Sequence, residues 1–127
     1  MSGYRPMTVA ELADELRPLT DDRDRWRMVA EFLEEYRHEP DDVRIALLVD
    51  EPRSTGDGHW DVFLAALAEH VAARDGRGAP EWTDQRILET FWFPFNSRGA
   101  RADALVHSPP SFRRRGIFVA PQELEVA

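Results

Sequence analysis

The sequence has 127 residues, of which 43% are hydrophobic, and its formal net charge is −8. This length is enough for one domain with a hydrophobic core, and the lack of cysteine excludes disulfides and thiolate metal sites. No apolar run is long enough to cross a membrane and the start of the chain is unlike a signal peptide, so we expect one cytoplasmic domain over 1–127.

The charge is unevenly distributed along the chain. Residues 1–58 hold eight arginines and fifteen acidic residues, whereas residues 96–120 hold five arginines and one aspartate. The sequence therefore predicts an acidic N-terminal surface and a basic segment close to the C-terminus.

A capping box predicts where the first helix begins. Thr8 lies three residues before Glu11, a spacing at which each side chain accepts a hydrogen bond from the other's backbone. Apolar residues then fall on one face over about 9–17. Pro18 ends this helix because proline has no backbone N–H to donate.

The second helix has the clearest amphipathic pattern of the N-terminal half. Its start is marked by side chains that can cap a helix or favour its positive end: Thr20, Asp21 and Asp22. The helix is expected to end at Pro40. Its apolar residues recur every three or four positions: Trp26, Val29, Phe32, Leu33 and Tyr36. The short run VRIALLVD that follows is expected to be a well-buried helix, with a strand as the alternative.

A loop over residues 51–58 separates this half from the strongest helix of the chain. Its proline and glycines mark the place where the domain would divide, if it divides at all. Asp57 is placed to cap the helix HWDVFLAALAEHVAARDG, and Gly76 to end it.

The last third of the chain is predicted to contain short elements. Thr83 is expected to cap a helix over about 84–91, and Pro94 makes FWFPF a turn or a short extended piece. Asn96 or Ser97 can cap a helix through ARADALVH.

A single helical turn, SFRRR, is expected after the two prolines that follow Ser108, and Gly116 ends it. The run IFVA can form one short strand near 117–119, before a C-terminal tail. The fold class predicted from these elements is all-α, a compact single-layered helical domain of five to seven helices.

The sequence contains no recognisable catalytic motif. It has no Gly-x-Ser-x-Gly, no phosphate-binding loop and no cysteine nucleophile. Glu35 and His38 have the spacing of half a di-iron carboxylate site, but no second copy exists, so we interpret them as a solvated helix end. We therefore expect a protein without enzymatic activity, cofactor or metal.

Three groups of side chains are candidates for binding a partner. Successive aromatics cannot all face one core, so we expect some rings of FWFPF at a protein interface, the alternative being that all pack inside around Pro94. The consecutive arginines are expected to end a helical turn and draw the acidic N-terminal region toward them, with partner contact in addition. The candidate residues are Trp92, Phe93, Phe95, Arg113, Arg114, Arg115, Glu31, Glu34 and Glu35.

Four blocks over about residues 59–120 resemble small actinobacterial proteins that look like the antitoxin halves of toxin–antitoxin pairs. The blocks are HWDVFLAALAEHVAARDG, APEWT, FWFPFN and ALVHSPPSFRRRGIFV. The resemblance implies a partner toxin with a nucleotidyltransferase fold. For some members the resemblance also implies an N-terminal helix-turn-helix that binds an operator, whereas residues 1–58 of this chain are acidic and have no evident recognition helix.

The sequence therefore predicts a non-catalytic protein-binding module. A nucleotidyltransferase needs a positively charged cleft, which an acidic helical surface could cover. The alternative is a nucleic-acid-binding transcription regulator that uses the arginines within 98–115, although the overall negative charge disfavours nucleic acid.

Overall fold

Six α-helices form in the part of the chain that the structure describes, residues 5–95 and 98–124 of a computed structural model. They are α1 (Val9–Leu16), α2 (Asp22–Arg37), α3 (Asp41–Leu48), α4 (Gly58–Arg74), α5 (Arg98–His107) and α6 (Pro110–Arg113). Two 3₁₀ turns cover Glu81–Thr83 and Pro121–Leu124, and these described ranges contain no strand. The prediction of a compact all-α fold with five to seven helices is confirmed.

Helix α4 lies at the centre of the fold because it is apolar on nearly every side. Ten of its residues are buried, and α1, α6 and the first 3₁₀ turn pack against it. The Asp57 carboxylate accepts a hydrogen bond from the backbone N–H of His59 at 2.9 Å, as its predicted capping role requires. Gly76 follows the helix with φ +77°, the left-handed conformation typical of a helix C-terminus.

The two N-terminal helices begin where their local signals predict. The Thr8 side chain accepts from the Glu11 N–H at 3.0 Å, and the Glu11 carboxylate accepts from the Thr8 N–H at 2.9 Å. Asp21 is the N-cap of α2. The buried residues of both helices fall on single faces that form the core with α4: Val9, Leu12, Ala13, Leu16, Val29, Phe32, Leu33 and Tyr36.

The prediction that α3 is well buried is wrong, although the helix itself forms. Only Leu47 and Leu48 in its last turn are buried, whereas the Ile45 side chain is 48% exposed and Val49 just after the helix is 59% exposed. Helix α3 therefore contacts the core mainly through its C-terminal turn.

The predicted helix over 84–91 does not form. Thr83 ends a 3₁₀ turn, and its hydroxyl donates back to the Pro80 carbonyl at 2.8 Å. The backbone N–H groups of Leu88 and Trp92 donate instead to the carbonyls of Arg115 at 3.0 Å and Gly116 at 2.8 Å. Long-range pairing therefore replaces the hydrogen bonds of a helix in this segment.

The predicted short strand at 117–119 is also absent. A single parallel bridge joins Ile117 to Trp92, with the Phe118 N–H donating to the Trp92 carbonyl at 2.9 Å.

Helix α5 forms as predicted, while its predicted caps, Asn96 and Ser97, lie outside the described residues. In the ranges that are described, no helix combines the length and apolarity needed to cross a membrane.

Candidate functional site

A shallow acidic groove lies between α1 and α2. One depression of about 380 Å³ is lined by Arg5, Met7, Glu11, Asp14, Glu15 and Glu35. A second, of about 320 Å³, shares Glu35 and continues along α2, where it is lined by Arg27, Ala30, Glu31, Glu34 and Glu35. We call the two together the acidic groove, and it contains all three glutamates that the sequence marked as candidates.

Several carboxylates of the acidic groove are already neutralised by arginine. Glu11 pairs with Arg5, Glu34 pairs with Arg37, and Asp14 lies 3.1 Å from the guanidinium of Arg53. Hydrogen bonds from Arg5 and from the backbone N–H of Thr8 lower the pKa of the Glu11 carboxyl below its usual value. These residues therefore build the walls of the groove and leave little net charge.

The uncompensated charge of the acidic groove comes from Glu15, Glu31 and Glu35. Glu15 and Glu31 are exposed and form no ion pair with any described residue. Glu35 is half-buried, and its carboxylate accepts a hydrogen bond from the Met7 N–H at 2.9 Å, which orients the side chain without cancelling its charge. The groove can therefore receive cationic side chains over the apolar surface of Met7 and Ala30.

The candidate aromatics divide between core and surface. The Phe95 ring lies 4.5 Å from the ring of Trp26, and the Trp92 ring lies 5.4 Å from that of Trp60, between ring centroids. Both therefore pack on the core, although Trp92 also stacks on His59 at 4.6 Å.

The surface aromatics of FWFPF are Phe93 and Phe91. Phe93 is half-buried and stacks on Phe118 at 5.2 Å. Phe91 is the most exposed ring of the run, at 75%, yet it is absent from the candidate residues predicted from the sequence. Nothing in the local pattern distinguishes it, because its exposure follows from the pairing of Trp92 with Ile117.

The three consecutive arginines occupy three different environments. Arg115 is 2% exposed and donates to the carbonyls of Ser111 at 2.9 Å and Thr83 at 3.1 Å, as well as to the Glu69 carboxylate. Arg114 is exposed and pairs with the same carboxylate. Arg113 donates to the carbonyls at the end of α5.

The expectation that the arginines draw the acidic N-terminal region toward them is wrong. Their carboxylate partner is Glu69 on α4, because α6 packs directly against α4. Burial opposes ionisation of Glu69, but the guanidinium groups of Arg115 and Arg114 outweigh it, so the pKa of this carboxyl lies below its usual value. These contacts fix α6 to the centre of the fold.

The two residues of the motif Glu35-x-x-His38 contact different backbone groups. Glu35 holds the backbone of Met7, whereas the His38 ring nitrogen Nδ1 lies 2.9 Å from the carbonyl of Glu34. Within the described part of the chain, no group of three or more histidine, aspartate or glutamate side chains is arranged to hold a metal ion.

A polar cluster that the sequence did not predict joins the ends of α2 and α4. The Tyr36 hydroxyl donates to Asp75 at 2.7 Å, and the guanidinium groups of Arg44 and Arg77 lie 2.8 Å and 3.1 Å from the same carboxylate. Burial and the hydrogen bond to Asp75 raise the pKa of Tyr36. A cleft of about 100 Å³ lies beside this cluster. Its members are far apart in sequence, so no local spacing predicts it.

The fold and these surfaces define an all-α protein with an acidic groove on one pair of helices. Comparison with protein-family models, with curated proteins and with solved structures gives no match for the chain.

Proposed function

We propose that the protein is a non-catalytic protein-binding module, an antitoxin that neutralises a toxin with a nucleotidyltransferase fold. Its acidic groove lies over the basic cleft in which the toxin binds its substrates. The sequence blocks over residues 59–120 support the kind of partner, and the acidic groove supports the mode of binding.

The observation that carries this proposal is the row of uncompensated carboxylates at Glu15, Glu31 and Glu35. The three belong to one continuous surface formed by α1 and α2. The remaining acids of the groove are held by arginines of the same chain, so these three are the charges available to a partner.

The chemistry of the partner explains why such a groove would inhibit it. A nucleotidyltransferase must bind a triphosphate and, if it modifies RNA, a polynucleotide, and both need a cleft lined with cations. Carboxylates that occupy the cleft exclude phosphates from it, and opposite fields speed the encounter of the two proteins. The short apolar stretch at Met7 and Ala30 adds contact for the aliphatic stems of lysine or arginine.

A charge-neutralising variant tests the proposal against a matched control. The first toxin to test is a nucleotidyltransferase encoded by the neighbouring reading frame, with binding measured by calorimetry and neutralisation by growth. The groove variant carries Glu15→Gln, Glu31→Gln and Glu35→Gln, and the control carries Asp50→Asn, Glu81→Gln and Glu89→Gln, which changes the net charge equally. We expect the groove variant to lose about tenfold or more in affinity, and the control less than about threefold.

Ionic strength gives a second measurement of the same contact. The affinity of the wild-type protein for the toxin should decrease as the salt concentration rises from about 50 mM to about 300 mM. The affinity of the groove variant should decrease less over the same range. Affinity that is indifferent to salt, or equal losses in the two variants, would contradict the role of the groove. A toxin that stays active in the presence of the chain would contradict the antitoxin assignment itself.

A further inference from the structure

Helix α3 has one side that the described part of the chain leaves uncovered. The residues that it turns toward the rest of the molecule are buried or half-buried: Val43, Arg44, Leu47 and Leu48. The residues of the opposite side are all exposed, and we call them the outer face of α3: Asp42, Ile45, Ala46, Val49 and Asp50.

The apolar residues of the outer face form one continuous stripe. Ile45 and Val49 are four residues apart, with Ala46 beside both, and side chains at these spacings adjoin on a helix surface. Val49 keeps the helical conformation, with φ −75° and ψ −32°. Ile45 is 48% exposed and Val49 is 59% exposed. The helix therefore carries more apolar surface than its own fold buries.

A carboxylate lies at each end of this stripe. Asp42 precedes Ile45 by three residues, and Asp50 follows Val49 directly. Both aspartates are exposed, and neither forms an ion pair with a residue of the ranges 5–95 and 98–124. The apolar stripe is therefore bounded by two uncompensated negative charges.

The arginine of α3 does not offset these charges. Residues 39–51 contain five acidic residues and a single arginine, Arg44. The Arg44 guanidinium is turned away from the outer face, since it donates to the Asp75 carboxylate at 2.8 Å and to the Tyr36 carbonyl at 3.1 Å. Its charge is therefore used inside the polar cluster that joins the ends of α2 and α4.

Two arginines from later in the chain approach the ends of α3 without reversing its charge. Arg77 lies 3.9 Å from the Asp41 carboxylate, before the outer face, and Arg86 lies 3.2 Å from the Glu51 carboxylate, after it. Each arginine offsets an acid outside the stripe and leaves the two aspartates beside the stripe unpaired. The outer face is therefore apolar in its middle and negative at both ends.

We propose that the outer face of α3 docks a basic amphipathic helix of a partner protein. Aliphatic side chains of the partner helix pack against Ile45 and Val49, and lysine or arginine side chains pair with Asp42 and Asp50. The two aspartates are eight residues apart, which is about 12 Å along a helix axis. The basic residues of the partner therefore flank its apolar stripe at a similar spacing, as in other pairs of packed helices.

The charges of the outer face distinguish a basic helix from the other possible occupants. A second copy of the chain would pair this face with itself, which brings aspartates of both copies around one small apolar centre, where they repel. Nucleic acid and anionic membranes are repelled by the same carboxylates. Because the stripe is only two helical turns long, we expect a weak, transient complex.

This inference goes beyond the proposed function, because it uses a different helix and a contact of helix against helix. The groove variant described above leaves the outer face unchanged. The variant described next leaves Glu15, Glu31 and Glu35 unchanged, so either proposal can fail without the other.

A displayed library of helical peptides, randomised along one face, identifies the occupant when the partner protein is unidentified. The bait is the full chain, and the counter-selection uses an outer-face variant with Asp42→Asn, Ile45→Gln and Val49→Gln. We expect the enriched peptides to carry aliphatic residues at helical spacing with lysine or arginine on either side. Enrichment of acidic or uncharged peptides, or no enrichment that depends on the outer face, overturns the proposal.

Binding of an enriched peptide is then measured by fluorescence anisotropy and mapped by amide NMR. We expect the outer-face variant to bind about tenfold or more weakly, with the shifts in the full chain centred on Ile45 and Val49. The matched control carries Asp24→Asn, Leu105→Gln and Val106→Gln, which alter another first-turn aspartate and another pair of exposed apolar residues. It should bind within about threefold of the wild type.

Three results count against a basic amphipathic helix. Equal binding of a scrambled peptide of the same composition shows attraction by net charge alone. Equal losses in the outer-face variant and the control place the contact elsewhere. Self-association that the outer-face variant abolishes, seen by sedimentation, assigns the face to a second copy of this chain.

Circular dichroism checks that the outer-face variant keeps its helices. Because Val49 is mostly exposed and lies just after α3, the single variant Val49→Gln should keep the fold and serves as the test if the triple variant unfolds. We expect it to bind the enriched peptide about threefold more weakly than the wild type, and unchanged binding overturns the proposal.

Discussion

Arg115 determines how the C-terminal part of the chain is attached to the core. Its guanidinium is buried and lies between the Glu69 carboxylate on α4, the Ser111 carbonyl in α6 and the Thr83 carbonyl of the first 3₁₀ turn. One side chain thereby joins three elements that local sequence does not connect. A buried charge of this kind is strongly destabilising when its partner is removed alone.

Removing this guanidinium should therefore cost far more than removing its neighbour. We expect Arg115→Met to lower the free energy of unfolding by about 3–5 kcal/mol, because Glu69 and two carbonyls lose a donor. Arg114→Met removes an exposed partner of the same carboxylate and should cost about 1 kcal/mol or less. Urea unfolding followed by tryptophan fluorescence measures both, and equal losses would be inconsistent with a buried Arg115.

Glu69 gives the same contact a dependence on pH. Its folded-state pKa lies below the usual value of 4.5, so its pairing contributes fully to stability above that value. The contribution is lost as the pH falls through the lower folded-state pKa, because the protonated carboxyl no longer attracts the arginines. The stability difference between the wild type and Glu69→Gln should accordingly shrink in acid.

At the level of elements, the turn that ends α6 depends on one glycine. Gly116 has φ +87°, and a Cβ built there would lie 3.3 Å from the Leu88 Cβ. Both the left-handed backbone and the close contact with the segment before Trp92 therefore require glycine.

Gly116→Ala should destabilise the protein by about 1–3 kcal/mol, since alanine is strained in this conformation. Gly58→Ala is the control, because a Cβ at the first residue of α4 meets nothing within 4 Å and φ there is not positive. It should be neutral or slightly stabilising. Thermal unfolding by circular dichroism distinguishes the two, and similar midpoints would refute the requirement for glycine.

Helices with complete local signals were predictable, and elements that depend on distant partners were not. Thr8 with Glu11, Asp21, and Asp57 with Gly76 mark α1, α2 and α4 within the sequence itself. The stretch after Thr83 has the composition of a helix, yet its Leu88 N–H donates to the distant carbonyl of Arg115. The spacing of residues within 84–91 does not indicate this pairing with a distant part of the chain.

The candidate site follows the same division. Glu31, Glu34 and Glu35 were candidates because the sequence predicts an acidic surface on the N-terminal helices. Glu15 was missed because its place in the acidic groove depends on how α1 packs against α2.

On the scale of the whole molecule, side-chain contacts join the regions before and after the loop at 51–58. The Trp60 indole N–H donates to Asp22 at 3.1 Å, and Tyr36 donates to Asp75 at 2.7 Å. The Arg17 guanidinium donates to the Ser54 carbonyl in the loop itself. These contacts favour one domain over 1–127, which stays a prediction.

If the chain is one cooperative unit, unfolding should occur in a single transition. Urea curves recorded by tryptophan fluorescence and by far-ultraviolet circular dichroism should superimpose. Tyr36→Phe removes the hydrogen bond to Asp75 and should shift both curves together by about 0.5–1.5 kcal/mol. Curves that separate, or a fragment 1–50 that folds alone, would place a domain boundary at the loop.

The central position of α4 matters during synthesis, because the helices that cover it are made at different times. The helix leaves the ribosome with α1 and α2 already available to cover it, but α6 is synthesised later and is needed for its remaining side. A polypeptide released before residue 110 therefore exposes Phe63 and its neighbours to water. Exposed hydrophobic surface of this kind is bound by chaperones and attacked by proteases. Translation that stops short should leave fragments that are degraded rapidly, so that only chains reaching Phe112 accumulate in the cell.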